Sequence, residues 1–239
     1  MRQASVIFLL FFSLASIAQD AERAKEIRDL LWSPDDTIFQ TIDIPTKWED
    51  EQAVILAVSN DLAYKKFPLS RNLWEQNYRH VRVKILGQQA LEEYSQFSYP
   101  ESITKYSFQG EIFVGFKIIK PSGEIIVVDN NEAVREELES AGKSKYGMMK
   151  LAIPNLEIGD ILDYYMAEEL TFYTDKFHDF DPEIFVLRRT YPILNGRVSF
   201  NVLRRCFINL GTFNDAPEFE LQEGEDKDES RYVLNYSNQ

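Results

Sequence analysis

Apolar residues recur along most of this chain at every second position, the spacing of a β-strand with one buried face. Val81, Val83 and Ile85 point one way while Arg82 and Lys84 point the other, and Ile112, Val114, Phe116 and Ile118 repeat the alternation. Ala53 to Ser59 is a mostly apolar strand. Pro121-Ser122-Gly123 turns the chain into Glu124–Val128, which predicts a β-hairpin. Further strand signals cover Tyr146–Ile153, Ile161–Ala167, Ile184–Tyr191, Val198–Leu210 and Tyr232–Tyr236, the last cut short by the end of the sequence.

A helical period shows in two places. Asp20 can cap a short helix with Ala21, Ala24, Ile27 and Leu31 near one face, and Ser33-Pro34-Asp35-Asp36 breaks it. Asp129 with Glu132 fits a capping box, with Val134, Leu138 and Ala141 on one face and Gly142 as a C′ residue, so a helical insertion is expected there. Asp215–Ser230 reads as an acidic loop. Together these patterns predict an all-β fold (mainly): an antiparallel β-sandwich with a short N-terminal helix and one helical insertion.

Composition adds that the chain is globular, with 44% hydrophobic residues, 17 Phe and 12 Tyr. Met1–Gln19 has the form of a secretory signal peptide: Arg2, an apolar run from Ala4 to Ile17, then Ser16-Ile17-Ala18 as a cleavage site. The run is shorter than the roughly 20 residues of a spanning helix. No cysteine sits nearby for a lipid anchor, and no later stretch is apolar enough to span a membrane. The expected organisation is therefore a signal peptide over 1–18, a short helix and lead-in over 19–35, and a β-sandwich domain over 36–239. The expected location is periplasmic or secreted, without stable membrane insertion after cleavage. Cys206 is the only cysteine, which excludes an intramolecular disulfide and leaves stability to the hydrophobic core. A net charge of −13 disfavours nucleic acid and anionic lipid, and suits basic or neutral partners.

The segment Leu151–Met166, Leu-Ala-Ile-Pro-Asn-Leu-Glu-Ile-Gly-Asp-Ile-Leu-Asp-Tyr-Tyr-Met, reads as strand, Pro154-Asn155 turn, apolar step, Gly159-Asp160 turn and strand. It resembles the "alPgv-pGdvieY" core of a bacterial domain of unknown function found N-terminal to transglutaminase-like domains in exported proteins. Ala53-Val54-Ile55-Leu56 is similar to that family's early strand, and Arg82-Val83-Lys84-Ile85-Leu86 to the strand that follows. Gly115–Ile126 resembles its hairpin, and Tyr191-Pro192-Ile193 leading to Val198-Ser199-Phe200 its later strand entry, so the likeness spans roughly Gln52 to Phe213. The resemblance implies an accessory domain whose Cys-His-Asp catalytic module would lie downstream, and the sequence ends at Gln239 without one.

The residues themselves offer little chemistry. Cys206 lies in a strand pattern, flanked by Arg204 and Arg205, which would lower a thiol pKa, but a buried inert thiol is the better reading. His178, in Lys176-Phe177-His178-Asp179-Phe180-Asp181, reads as a polar loop residue, because the only other histidine, His80, lies in a distant strand and no zinc spacing results. The run Glu218, Glu220, Glu223, Glu225, Asp226, Asp228 and Glu229 is a solvated charged loop rather than a calcium loop: Arg231 stands where an EF-hand needs Gly. No catalytic residue, metal site or cofactor is expected. Aromatic residues are the binding candidates, Trp74, Tyr164, Tyr165 and Tyr173 foremost, with Tyr94, Tyr99 and Tyr106 beside them. The expected function is that of a non-catalytic exported module that binds or positions a protein, a peptide or a transglutaminase-like domain. The alternatives are a carbohydrate-binding module with a glycan partner, or a thiol or carboxylate hydrolase.

Overall fold

Twelve strands, one short α-helix between them and a helix near the start build the chain in the computed structural model, which describes residues 20–67, 69–106, 108–137, 147–174, 178–203, 206–223 and 228–237. Two compact units result, the first ending at Asp36 and the second starting at Thr37. The first contains a helix, α1 (residues 20–31). The signal-peptide reading falls on residues outside those described. Among the described residues no helix is long and apolar enough to cross a membrane.

The second unit is all-β. Its strands are β1 (Ala53–Lys66), β2 (Asn72–Ile85), β3 (Gln96–Pro100), β4 (Ile103–Lys105), β5 (Phe108–Ile119), β6 (Ile125–Val127), β7 (Val134–Glu137), β8 (Gly147–Ala152), β9 (Ile161–Tyr173), β10 (Ile193–Leu203), β11 (Glu220–Glu223) and β12 (Glu229–Tyr236). Nine form one sheet in the order β11-β12-β10-β1-β2-β9-β5-β4, with β6 paired to β5. The other three form a small sheet, β3-β8-β7. Every pairing is antiparallel except β1 with β10, which run parallel from Ile55/Ile193 to Tyr64/Val202.

The small sheet covers part of one face of the large one, here termed the inner face. Val81, Val83 and Ile85 of β2, Phe116 and Ile118 of β5, Leu162 of β9, Tyr99 of β3 and Leu151 of β8 share one core. Phe97 of β3 locks the layers together, 4.8 Å from the Phe116 ring and 4.7 Å from Tyr164. This is a sandwich, and the alternation read along β2 and β5 is the alternation it buries.

Four expectations about elements need correction. The helical insertion is α2 (Gln88–Tyr94), not the capping-box segment. Asp129 does cap, accepting from the Asn131 N–H at 2.9 Å, but the cap opens a 3-10 turn that gives way to β7. Leu138–Tyr146 lies outside the described residues. Ile184–Tyr191 is not a strand and has no ladder partner among the described residues, and β10 ends at Leu203, so Cys206 stands beyond the strand. The acidic loop contains a hairpin, with Glu220 opposite Val233.

The Pro-Asn and Gly-Asp turns do form. Asn155 takes φ 62° and Gly159 φ 98°. Asp160, almost wholly buried, accepts from the Glu157 N–H at 2.8 Å and from Lys120 Nζ at 2.8 Å. Lys120 also donates to the Asn155 carbonyl, so this one ammonium ties both turns to the β5–β6 hairpin.

Candidate binding surface

Sheet register, not local sequence, brings the polar groups of the inner face together. Asn60 of β1 pairs with Arg79 of β2, which pairs with Met166 of β9; one rung on, Leu62 pairs with Asn77 and Asn77 with Glu168. Partners across a ladder project to the same side. Asn60, Arg79, Asn77 and Glu168 therefore interrupt an otherwise apolar face. On one side lies the main core, and on the other Leu62 and Tyr64 pack with Val198 and Phe200.

A covering segment, residues 178–189, runs over this band without ladder pairing. Phe180, Phe185 and Leu187 turn inward onto the core, while Ile184 and Val186 face out, 85% and 63% exposed. Residues 206–219 behave alike: Ile208, Leu210 and Phe219 pack inward, and Phe207 and Phe213 are 95% and 80% exposed. Between the two segments and the ends of β10 and β12 lies a cleft of about 1770 Å³. Under the first segment is a smaller pocket of about 320 Å³, lined by Asn60, Asn77, Arg79 and Glu168 from the sheet and by Val186 and Arg189 from the cover.

The pocket side chains do not bond one another, and among the described residues one pocket atom, Arg79 Nε, is shut from solvent without a hydrogen-bond partner. Asn60 is more than nine-tenths buried. Among the described residues no side-chain hydrogen bond or ion pair reaches Asn60, Asn77, Glu168 or Arg189. Burial pushes the Glu168 carboxyl up from its ordinary value, with Glu183 and Glu75 adding to the rise against the pull of Lys105. One rung further, Glu75 is satisfied on one oxygen only: Lys105 Nζ reaches Glu75 Oε1 at 2.6 Å and Glu183 at 3.1 Å, while Glu75 Oε2 is buried without a partner.

The outer face holds a second charged cluster. Asp163, fully buried, accepts from His80 Nε2 at 2.7 Å and from Arg82 Nε at 2.7 Å, with Lys117 Nζ at 3.8 Å. An ionised carboxylate can only accept, so His80 carries its proton on Nε2. Phe39 stacks on the His80 ring at 3.7 Å, and its carbonyl accepts from Arg82. The cluster fastens the 37–40 turn to the sheet. His80 was legible only as a lone strand histidine, because its partner lies 83 residues away.

The four foremost aromatic candidates do not converge. Tyr164 belongs to the core against Phe116 and Phe97. Tyr165, on the opposite face, is buried over Gly115. Trp74 and Tyr173 do share a face on neighbouring rungs; Lys65 lies over the Trp74 ring and Arg71 donates to the Tyr173 hydroxyl at 2.9 Å. Tyr94 and Tyr99 are core residues, and Tyr106 packs on Phe172 and His178. His178 is boxed by Tyr106, Phe172 and Phe180 with Nε2 buried and unpartnered. Cys206 is half-buried, and burial raises its thiol pKa, opposite to what a nucleophile needs. Arg204, Arg205, Glu225 and Asp226 lie outside the described residues. Glu218 accepts from Thr212, and Glu229 lies 3.7 Å from Lys65.

No protein-family model matches the chain, and no curated protein matches it. Among solved structures, one described as a "putative protease" from Parabacteroides distasonis superposes with a TM-score of 0.55 at 12% identity, covering 79% of this chain and 36% of that one. This chain thus spans about a third of that protein's length, and the likeness is one of fold alone. A CBM3a-L domain from a Clostridium thermocellum scaffoldin reaches a TM-score of only 0.24 at 10% identity, over 49% of this chain and 72% of that one, too low to bear on fold or function.

Proposed function

We propose that this chain is an exported, non-catalytic β-sandwich module that engages a protein or peptide, and that it serves a longer protein with a transglutaminase-like domain. The observation that carries this reading is the exposed apolar edge of the two covering segments. Ile184, Val186, Phe207 and Phe213 project into solvent from backbone that has no ladder partner among the described residues, beside the 1770 Å³ cleft. Exposed apolar residues on chain without ladder partners are what a polypeptide partner covers, by side-chain burial. The fold likeness to part of a longer protein described as a protease supports an accessory role, and so does the resemblance of the Pro-Gly-Asp segment. Nothing at Cys206 favours a thiol nucleophile.

Selection of displayed peptides against the purified chain tests this. Selected peptides are expected to lose at least about tenfold in affinity for a Val186→Asp, Phe207→Asp double variant, since each substitution removes an apolar contact and adds a desolvated charge. Peptides that bind the variant equally well would overturn the reading. So would a hydrolase or acyl-transfer activity of the pure protein that Cys206→Ala abolishes.

A further inference from the structure

The 320 Å³ pocket beneath residues 184–189 has a chemistry distinct from the apolar edge above it. Its floor is two rungs of sheet bearing Asn60, Arg79, Asn77 and Glu168, and its cover brings Arg189 with the apolar Ile184 and Val186. Protein interiors pair their buried polar groups, and an unmade hydrogen bond is costly, more so for charged groups. Here a buried amide, a buried guanidinium nitrogen and a carboxyl raised by burial share one small space without bonding one another. The volume is at the lower end for small-ligand sites, which run from about 300 Å³ upward.

We infer that the pocket binds a carboxylate that carries an amide or ammonium on its neighbouring carbon, as at the C-terminus of a peptide or in a free amino acid. Arg79 and Arg189 approach from floor and cover, and guanidinium groups recognise carboxylates by paired N–H donors. Asn60 and Asn77 each present one acceptor and one two-proton donor, the complement of a peptide unit. Glu168 accepts the N–H or N–H₃⁺ next to the carboxylate. A phosphate dianion would meet the Glu168 carboxyl, and a neutral sugar would leave two guanidinium groups without a counter-charge. Met166 and Val186 offer the side chain an apolar wall. The inference deepens the peptide-binding reading and shares Ile184 and Val186 with it, but its polar groups, Asn60, Asn77, Arg79, Glu168 and Arg189, belong to the pocket alone.

The test is titration of the full chain with three probes, N-acetyl-alanyl-alanine, its C-terminal amide and free alanine, followed by calorimetry and by backbone amide NMR. The acid is expected to shift the amide signals of Asn60, Asn77, Arg79 and Glu168. It should bind about tenfold or more tightly than the amide, and lose about tenfold or more in both Arg79→Gln and Arg189→Gln, the loss of a charge-assisted bond. Arg189 sits on the exposed cover, so its variant remains informative even where Arg79→Gln fails to fold. Tighter binding of the acetylated peptide points to a peptide end, and tighter binding of alanine to a free amino acid; either upholds the site. Equal affinity for acid and amide, unchanged affinity in the arginine variants, or no shift at those four residues with any probe overturns it. Displayed peptides that bind the Phe207 and Phe213 edge while leaving these signals still would overturn the pocket and keep the module; alanine binding without any peptide binding would do the reverse.

Discussion

Asp163 cannot lose its charge without leaving Arg82 and Lys117 as buried cations. Burial raises its pKa, but the hydrogen bond and charge of His80, with Lys117 and Arg82, outweigh that and hold it below the ordinary carboxylate value. Its contribution to stability is therefore full above the unfolded-state pKa, near 4, and is lost as pH falls through the lower folded value. Asp163→Ala should cost about 3–5 kcal/mol in urea denaturation at pH 7, the penalty of breaking a buried pair from one side. Glu168 has the opposite sign. Its raised pKa makes the folded state hold its proton, so its contribution is full below the unfolded value and lost as pH rises through the folded one. Glu168→Gln should then raise the thermal midpoint at pH 7 while weakening carboxylate binding, a trade expected of a residue kept for a ligand. At this scale the sequence was legible where a residue type answers a local need. Asn155 and Gly159 take left-handed backbone, and the turn residues announced it. The Asp163 and Glu168 clusters were not legible, because their members meet only through strand register.

Among elements, periodicity worked where one sheet face is buried and failed where local signals competed with tertiary contacts. β2, β5 and β9 follow their alternation closely. The capping box at Asp129 opened only a 3-10 turn before β7 took over, while α2, which follows Gly87 without a side-chain cap, formed instead. A seven-residue helix has too few internal bonds to persist by itself, so α2 depends on what it buries, Ala90 and Tyr94. Tyr94→Ala should destabilise by about 3–5 kcal/mol, as other large aromatic truncations in cores do, measured by chemical denaturation. The segments after β9 and β10 alternate like strands, yet neither has a ladder partner among the described residues. Alternation reports which side faces the core, not whether a neighbour strand is present. Gly115 lies beneath the Tyr165 ring, on its register partner across the ladder. Gly115→Ala should push that ring aside and lower the midpoint, with near-ultraviolet circular dichroism as the check.

For the whole molecule, an all-β sandwich followed from strand count and turn spacing alone, but the single parallel pairing in its centre did not. Alternation carries no direction, so a parallel neighbour looks the same in sequence as an antiparallel one. That pairing joins Ile55 to Ile193, residues 138 positions apart. Refolding from urea should accordingly fall in the slow range of sheet proteins rich in distant contacts, milliseconds to seconds, as stopped-flow fluorescence of the three tryptophans would report.

The same pairing sets an order of events at synthesis. β1 is made early, but one of its two neighbours is β10, and β10 in turn seats β12. The middle of the large sheet stays open along one side of β1 until β10, residues 193–203, has left the ribosome. A polypeptide built this way keeps the heart of its sheet unfinished, and hence threadable, until a strand made 138 residues later, counted from Ile55 to Ile193, comes free.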